Sequence, residues 1–522
     1  MRQASSVAEQ RGRNSEERAA ARERALAQRT IARAGALDAR AAPMAQPGNR
    51  LALAERLRRL APMALRADSA LPQAALAAGF VLHALFLVAL VTGILDPLFV
   101  EASQGYGQAS DFFGIYQAGA NLLRGYSIYD SADYLHEAPQ TVPFYYFYRY
   151  LPPTAYGAAA LALLPPWPAY WVWVALNEAL IALVVVSILR MRRWPWARRS
   201  VAAALWLGFF PLCIEQIMGQ FSLSMAALLW FLWRADSEAD ANAGARPPIL
   251  EGWRTYRWSA DTWRPMRGAI AWALSLILKT FSIFLAVPYL RDARLKRLVS
   301  GFVMAAAVCI PYFVLRPRDM GEFVRLNLSP FAPQLYKGAF GLQTFLGDLL
   351  TRLPASGVAL ASWHGRTLTL GGAILLAASL LIGALALVAS LRSRAVGPER
   401  HARDLALWVA VFFLVFKSVW EYHYVMILPA LCALYLVRGS RTVLVLAILL
   451  GLPTLFAAGP LLAGVDPLAP LSTWPAWFRV LHFSVKCVPM LALFAWCLAA
   501  PASPDRETRG CPDAIPCRPS SL

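Results

Sequence analysis

The chain has 522 residues, 58% of them hydrophobic and only 16% charged, with a formal net charge of +19. That composition excludes an ordinary soluble domain, because repeated long apolar stretches with few charges are the mark of transmembrane helices. The positive charge gathers in Arg-rich stretches between apolar runs, which is the pattern of cytoplasmic loops rather than of a nucleic-acid-binding surface.

Residues 1–72 are rich in Ala, Arg and Glu and have no early apolar run, so they read as a disordered basic cytoplasmic extension without a signal peptide. Within them, "LALAERLRRLAPMALR" (51–66) interleaves Leu51, Leu53, Leu57 and Leu60 with Arg, a pattern that also suits a helix lying on anionic lipid. Membrane helices are then expected near 76–98, 167–190, 200–214, 221–234, 297–315, 368–391, 404–419, 422–437, 441–459 and 478–499. The stretch 268–290, "GAIAWALSLILKTFSIFLAVPYL", is long enough for one span but has Lys279 at its centre. A lysine at mid-bilayer costs at least a few kcal/mol. A single span would also carry the basic "RDARLKR" (291–297) to the outside. A short hairpin with Lys279 at its tip removes both difficulties.

With the hairpin, the basic stretches all fall on the cytoplasmic side: the N-terminus, 190–199, 234–267, 291–297, 392–403 and 438–441. Loops 99–150, 316–367 and 460–477 fall outside, and are expected to hold short half-apolar helices. The expected architecture is an all-α polytopic membrane domain over 73–500, with roughly twelve membrane segments, followed by a disordered cytoplasmic tail, 501–522. Cys213, Cys309, Cys432, Cys487 and Cys497 lie in or beside apolar runs and act as small hydrophobes, while Cys511 and Cys517 are too few for a zinc site. No metal site or cofactor is expected.

This topology brings scattered polar residues to one membrane face. Asp111 opens the first outer loop, "EQIMGQFS" (215–222) turns outside with Gln220, Lys279 tips the hairpin, and "KSVWEYHYV" (417–425) turns outside with Lys417, Trp420, Glu421 and His423. Interfacial ionisable groups are functional candidates. Each also has a blander role: Asp111 as a helix cap, Gln220 as a bridge between helix ends, Lys279 as a snorkelling side chain, His423 as a satisfied interior histidine, and Trp420, Tyr422 and Tyr424 as an aromatic belt. As a set, the carboxylate suits a general base for a hydroxyl, and Lys279, His423, Lys417 or Arg149 suit a phosphate leaving group. That is the chemistry of glycosyl transfer from a lipid-phosphate sugar. No G-x-G-x-x-G, P-loop, H-E-x-x-H or D-x-D is present.

Four blocks in order carry a resemblance to a family. The first is "DFFGIYQAGANLLRG" with "GYSIY" and "YRYLPPTAYGAAALALLP". The others are "GQFSLSMAALL", "LKTFSIFLAVPYL" and "VWEYHYVMILPAL". Together they resemble glycosyltransferase family 87, enzymes of the GT-C fold that use polyprenyl-phosphate sugars and are best known as bacterial mannosyltransferases. The chain departs from the family's usual Lys-Pro-x-Pro at Lys279-Thr280-Phe281-Ser282, from its paired histidines at Tyr422-His423, and from Tyr-Pro-Pro at "YLPP".

The resemblance implies that Asp111 is the general base and His423 a second essential polar group. It makes Lys279 a contact to the donor phosphate, with Gln220, Tyr116, Arg149, Trp420 and Glu421 as further donor- or substrate-binding candidates. It implies a metal-independent, inverting transfer of mannose or another hexose or pentose from a polyprenyl-phosphate donor to a lipid or glycan acceptor. The Arg/Ala richness points to a GC-rich bacterium and the topology puts the site outside, so the expected location is a bacterial inner membrane with the site facing outside. The rival expectations are a transporter or flippase of lipid-linked sugars and a non-enzymatic subunit of an envelope assembly. A transporter of that kind would show internal repeats with matching broken helices, and none is visible in the sequence.

Overall fold

The computed structural model describes residues 47–95, 108–129, 138–143, 148–242, 263–292, 294–327, 335, 337–363, 366–393, 397–417, 419–454, 463–464 and 469–499, with side chains from Ala70 onward and backbone alone at 239–242, 263–265, 363 and 366. The expectations made for 1–46, 96–107, 243–262 and 501–522 fall outside these residues. Residues 1–71 and 72–522 form two separate units. Of the first, the helical backbone from Pro47 is described, with side chains at Ala70 and Leu71 alone.

Among the described residues, five helices are long and apolar enough to cross a membrane: Ala70–Thr92, Pro166–Leu189, Leu295–Leu315, Leu370–Arg392 and Ala476–Ala499. Their Val and Leu side chains, such as Val81, Leu85, Leu380 and Leu381, remain exposed around much of the surface. This is what a lipid-facing helix requires, since its backbone is satisfied internally and its side chains need no aqueous face. Pro166 sits in the first turn of its helix, where a missing N–H is no loss.

Two shorter pieces, Trp196–Gly208 and Pro211–Met218, bent by 42°, are long and apolar enough to cross a membrane only when taken together. One unbroken helix is expected over 200–214 from the apolar run alone. It breaks because Pro211 has no N–H to donate, and Phe209 ahead of it is extended, with φ −77° and ψ 104°. The second piece ends at Gly219, and the chain re-enters as Ser222–Asn242.

Beyond it, the chain doubles back on itself. The helix Trp263–Leu278 stops at Lys279, which is extended at φ −148° and ψ 114°, and gives way to the 3-10 turn Thr280–Leu285 and the short helix Ala286–Arg291. Trp272 Nε1 donates to the Ser282 carbonyl at 3.0 Å, and its ring meets that of Tyr289 edge-on at 5.4 Å. Further back, a Cβ on Gly268 would stand 2.6 Å from the Arg297 guanidinium. Lys279 therefore stands at the reversal.

The helix Gly397–Val415 runs through the centre, buried on every side from His401 to Leu414. From Leu405 to Val415 it is apolar all round, and such a stretch has no other stable place. It packs against Ser222–Asn242, Leu370–Arg392, Leu428–Arg438 and Ala476–Ala499. The region expected as 422–437 begins instead as the 3-10 turn Glu421–Ile427 before Leu428–Arg438. The stretch 316–367, expected as an outer loop, holds two short helices, Pro317–Asn327 and Leu342–Leu350, and also a two-stranded antiparallel hairpin, Ala359–Trp363 with Arg366–Thr369. The strands were not anticipated. Thr and Trp favour a pleated strand, but nine strand residues leave a faint signal beside a long apolar run.

Two polar clusters sit at opposite ends of Ser222–Asn242. At its far end, Asp236 pairs with Arg294 and Arg297, Arg291 pairs with Asp404 at 2.6 Å, and Arg294 lies 3.1 Å from His401 Nε2. Fourteen residues of α-helix separate the two ends by about 21 Å. The near end carries the candidate site.

Candidate active site

Asp111 lies in the first turn of the helix Ser110–Leu123, which is buried along nearly its whole length. The residue ahead of it, Ala109, has the left-handed φ of 68° and makes no side-chain cap. Its N–H donates to the Ile217 carbonyl at 2.7 Å, anchoring this turn to the end of Pro211–Met218. Asp111 itself caps nothing. It is 2% exposed, and neither carboxylate oxygen makes a hydrogen bond of normal geometry within the protein. Burial pushes its carboxyl up to about 6, against the side chains of Gln220 and Tyr422 and the charges of Lys279 and Arg149, which favour the ionised form.

Gln220 belongs to the turn that follows Pro211–Met218. Its Oε1 accepts from Tyr150 Oη at 2.6 Å and from the Phe221 N–H at 3.2 Å, so the amide nitrogen is the atom left to face Asp111. The turn is built by Glu215. The backbone carbonyl of Glu215 accepts from Gly219 N at 2.8 Å and Gln220 N at 3.3 Å, while its Oε1 accepts from Leu223 N at 2.9 Å, one of the free amides opening the next helix. Glu215 is completely buried and its Oε2 has no hydrogen-bond partner. Sequence reasoning passed over it, although a lone acid in an apolar run is the signal that singled out Asp111.

Lys279 reaches this turn from the hairpin: Nζ donates to Ser222 Oγ at 3.1 Å and stands 5.6 Å from the centre of the Tyr422 ring. The charge of Lys279 acts on Asp111, Glu215 and His423 alike. His423 lies in the turn Glu421–Ile427, edge-on to Tyr422 with ring centres 4.5 Å apart. The Trp420 N–H donates to His423 Nδ1 at 3.1 Å, which places the proton of the neutral ring on Nε2 and leaves that atom as a donor. Trp420 stacks on Tyr422, 7° from parallel with centres 6.4 Å apart, and is backed by Gly338, where a Cβ would meet its ring at 2.6 Å.

The structure thus brings Asp111, Gln220, Lys279, Tyr422 and His423 together, with Arg149 exposed nearby and close enough to act on Asp111 and Lys417. It does not bring in Tyr116 or Glu421. Tyr116 Oη donates to the Leu164 carbonyl at 2.7 Å, within the packing of this helix against its neighbours. Glu421 turns the other way, to Lys486 at 3.7 Å and Thr454 at 3.0 Å. One further chain of polar groups ties membrane helices to the site. His83 Nε2 and Glu178 Oε2 lie 2.8 Å apart, and Glu178 Oε1 accepts from Gln216 Nε2 at 2.7 Å, next door to Glu215.

The model of glycosyltransferase family 87 matches residues 147–418. Arg149, Glu215, Gln220 and Lys279 lie inside the matched stretch, while Asp111, Tyr116, Trp420, Glu421 and His423 lie outside it. Among curated proteins, none matches the chain. With more than half of its length matched, the chain belongs to glycosyltransferase family 87 and is a membrane glycosyltransferase.

Proposed function

We propose that this enzyme moves a sugar, mannose or another hexose or pentose, from a polyprenyl-phosphate donor to a hydroxyl of a lipid or glycan acceptor, with inversion, on the extracytoplasmic face of a bacterial inner membrane. The observation that carries the reading is Asp111: a buried carboxylate with both oxygens uncommitted, beside an ammonium and an aromatic wall. A carboxyl raised to about 6 is a better base than a solvated one and is still ionised at neutral pH.

In this reading the acceptor hydroxyl stands between Asp111 and the anomeric carbon of a β-linked donor. Asp111 takes the hydroxyl proton as the oxygen attacks, the bond from carbon to phosphate oxygen breaks, and an α-linked product forms. The lipid phosphate leaves with the bonding electrons, and its charge is met by Lys279, by the Nε2–H of His423 and by Arg149 or Lys417. Fixed cations and donors at the point where charge develops lower the barrier because they need not reorganise. Trp420 and Tyr422 form the flat wall on which a sugar ring rests. The isoprenoid tail lies among the apolar helices, in a GT-C-type bundle in which the short helices complete roughly twelve membrane segments.

The test is transfer of labelled mannose, and of a panel of other polyprenyl-phosphate sugars, by purified protein in lipid beside an Asp111→Asn control. Label reaching an acceptor with wild type and not with the variant supports the reading. Turnover that survives Asp111→Asn overturns the assignment of the base.

A further inference from the structure

The strands Ala359–Trp363 and Arg366–Thr369 take no part in the site described above. We propose that this strand pair, with the turn Pro354–Gly357 before it, lies in the headgroup layer of the bilayer with its Leu-bearing face against lipid, as a surface anchor at the end of the helix Leu370–Arg392. This role is independent of the donor and acceptor assigned above.

The pair is open to its surroundings. Leu353, Val358 and Leu360 are 53–55% exposed, and Leu368 is exposed as well. Two strands alone are marginal in water, because no second layer covers either face. Pairing sorts the side chains: Ala361 stands opposite Leu368, and Ser362 opposite Thr367. Partners across a ladder share a face and successive residues alternate, so Ala361 and Leu368 belong to one face and Ser362 and Thr367 to the other. The register shifts between Ala359 and Ala361, which makes Leu360 the extra, unpaired residue of a bulge.

What covers the Leu-bearing face follows from where the pair ends. Thr369 runs without a linker into Leu370–Arg392, a helix long and apolar enough to cross a membrane, whose Ile374, Leu380 and Leu381 are exposed. The junction is fixed. Thr369 Oγ1 accepts from the Gly372 N–H at 3.1 Å, and the Leu370 N–H donates to the Val358 carbonyl at 2.9 Å. A Cβ on Gly371 would stand 3.2 Å from the Ser356 carbonyl oxygen, so the turn Pro354–Gly357 is seated on the first turn of the helix. A helix of 23 residues is about 35 Å long, enough to cover a hydrocarbon core of about 30 Å. Its first residue therefore stands at the boundary of lipid and water, and the strands stand there with it. A two-stranded sheet has two open edges of N–H and C=O, which do not occur within hydrocarbon, so the pair lies at the surface and not in the core. Between 353 and 369 the single formal charge is that of Arg366 and there is no acid, so the stretch is not repelled by anionic headgroups. The apolar surface that the helix presents to lipid thus continues onto Val358, Leu360 and Leu368.

Spin labels on single cysteines in the full chain, reconstituted in nanodiscs of phosphatidylethanolamine and phosphatidylglycerol, test this directly. Collision with oxygen, which concentrates in lipid, is compared with collision with a water-soluble nickel chelate. Cys213, Cys309, Cys432, Cys487 and Cys497 are buried, and Cys511→Ser with Cys517→Ser removes the two in the tail. Leu380→Cys is the lipid reference. The labelled side chains are exposed, so no interior has to repack. The oxygen-to-nickel ratio at Leu360→Cys and at Leu368→Cys is expected to approach that of Leu380→Cys and to exceed that of Thr367→Cys, on the other face, by about threefold or more. A ratio at both positions no higher than at Thr367→Cys would place the face in water and overturn the proposal. Weak collision with both reagents would overturn it as well, because protein, a second copy of the chain included, would then cover the face.

Discussion

A Cβ placed on Gly219 would stand 2.5 Å from the Cβ of Phe112, and Gly219 already has a left-handed φ of +72°. The turn that presents Gln220 and the helix that presents Asp111 therefore touch at a point where only glycine fits, for both steric and backbone reasons. Gly219→Ala has to push apart the two elements on which the site is built. It is expected to cost about 1–3 kcal/mol and to depress transfer more than tenfold at temperatures where the protein remains folded. Gly125→Ala is the comparison: its φ is +78° but nothing lies within 4 Å, so it carries the backbone strain without the collision. Melting in detergent and transfer in lipid, measured on both, separate the two effects.

Asp111 sets the acid limb of the reaction. Only the carboxylate accepts a proton, and burial places its titration at about 6, so transfer is expected to fall about tenfold per pH unit below 6 and to level off above it. Asp111→Asn is expected to lose about a hundred- to ten-thousand-fold in kcat. Stability moves in the opposite direction. The folded protein favours the protonated form, so the contribution of Asp111 is fullest at acid pH and is lost as pH rises through about 6. Asp111→Asn is therefore expected to melt above wild type at pH 7.5, with an advantage that shrinks on acidification. A variant less stable than wild type at pH 7.5 would contradict the burial argument.

The two ring nitrogens of His423 have separable duties. Nδ1 accepts from the Trp420 N–H and holds the turn, while Nε2 is left to donate. Asn at this position can reproduce the first and not the second, because its amide oxygen falls near the position of Nδ1. His423→Asn is expected to fold and melt like wild type and to lose transfer tenfold or more, whereas His423→Ala loses both the turn and the activity. Equal loss of stability in the two variants would mean that the ring only packs.

Glu421 belongs to a different interaction from its neighbour His423. It faces Lys486, which is fully buried, donates to the Leu450 carbonyl at 2.7 Å and to that of Leu452, and stands on the helix Ala476–Ala499. Removing one member of a buried pair leaves the other uncompensated, at a cost of about 3–5 kcal/mol. Glu421→Ala is thus expected to lower the melting temperature steeply, and the double change with Lys486→Met to recover most of the loss. A double variant no more stable than Glu421→Ala alone would show that the pair is not what holds this turn.

The residues that could be read from the sequence are those whose oddity is local. Asp111 in an aromatic stretch and Lys279 at the centre of a 23-residue apolar run each conflict with their immediate surroundings, and that conflict marks them without any knowledge of the fold. Long helices are legible for a related reason, since about 20 apolar residues in a row have few other uses. Glu215 was legible by the same rule and was overlooked beside Gln220, its more familiar-looking neighbour. Tyr150 could not have been found, because an aromatic residue in an aromatic-rich stretch carries no mark of the hydrogen bond it makes to Gln220, seventy positions away.

The sequence by itself determined the character of the molecule: a helical membrane protein with basic inter-helical stretches, a chain reversal at a lysine, and a family identity carried by short blocks in order. Tertiary structure decided what each polar group is for. It turned Glu421 towards Lys486, sixty-five positions on, and it brought Lys279 to Ser222, fifty-seven positions back. The physical reason is that apolar length and misplaced charge are properties of a stretch of chain, whereas a counter-ion is a property of a place. In a low-dielectric interior every charge must find a partner, and which partner it finds is settled only when distant helices pack.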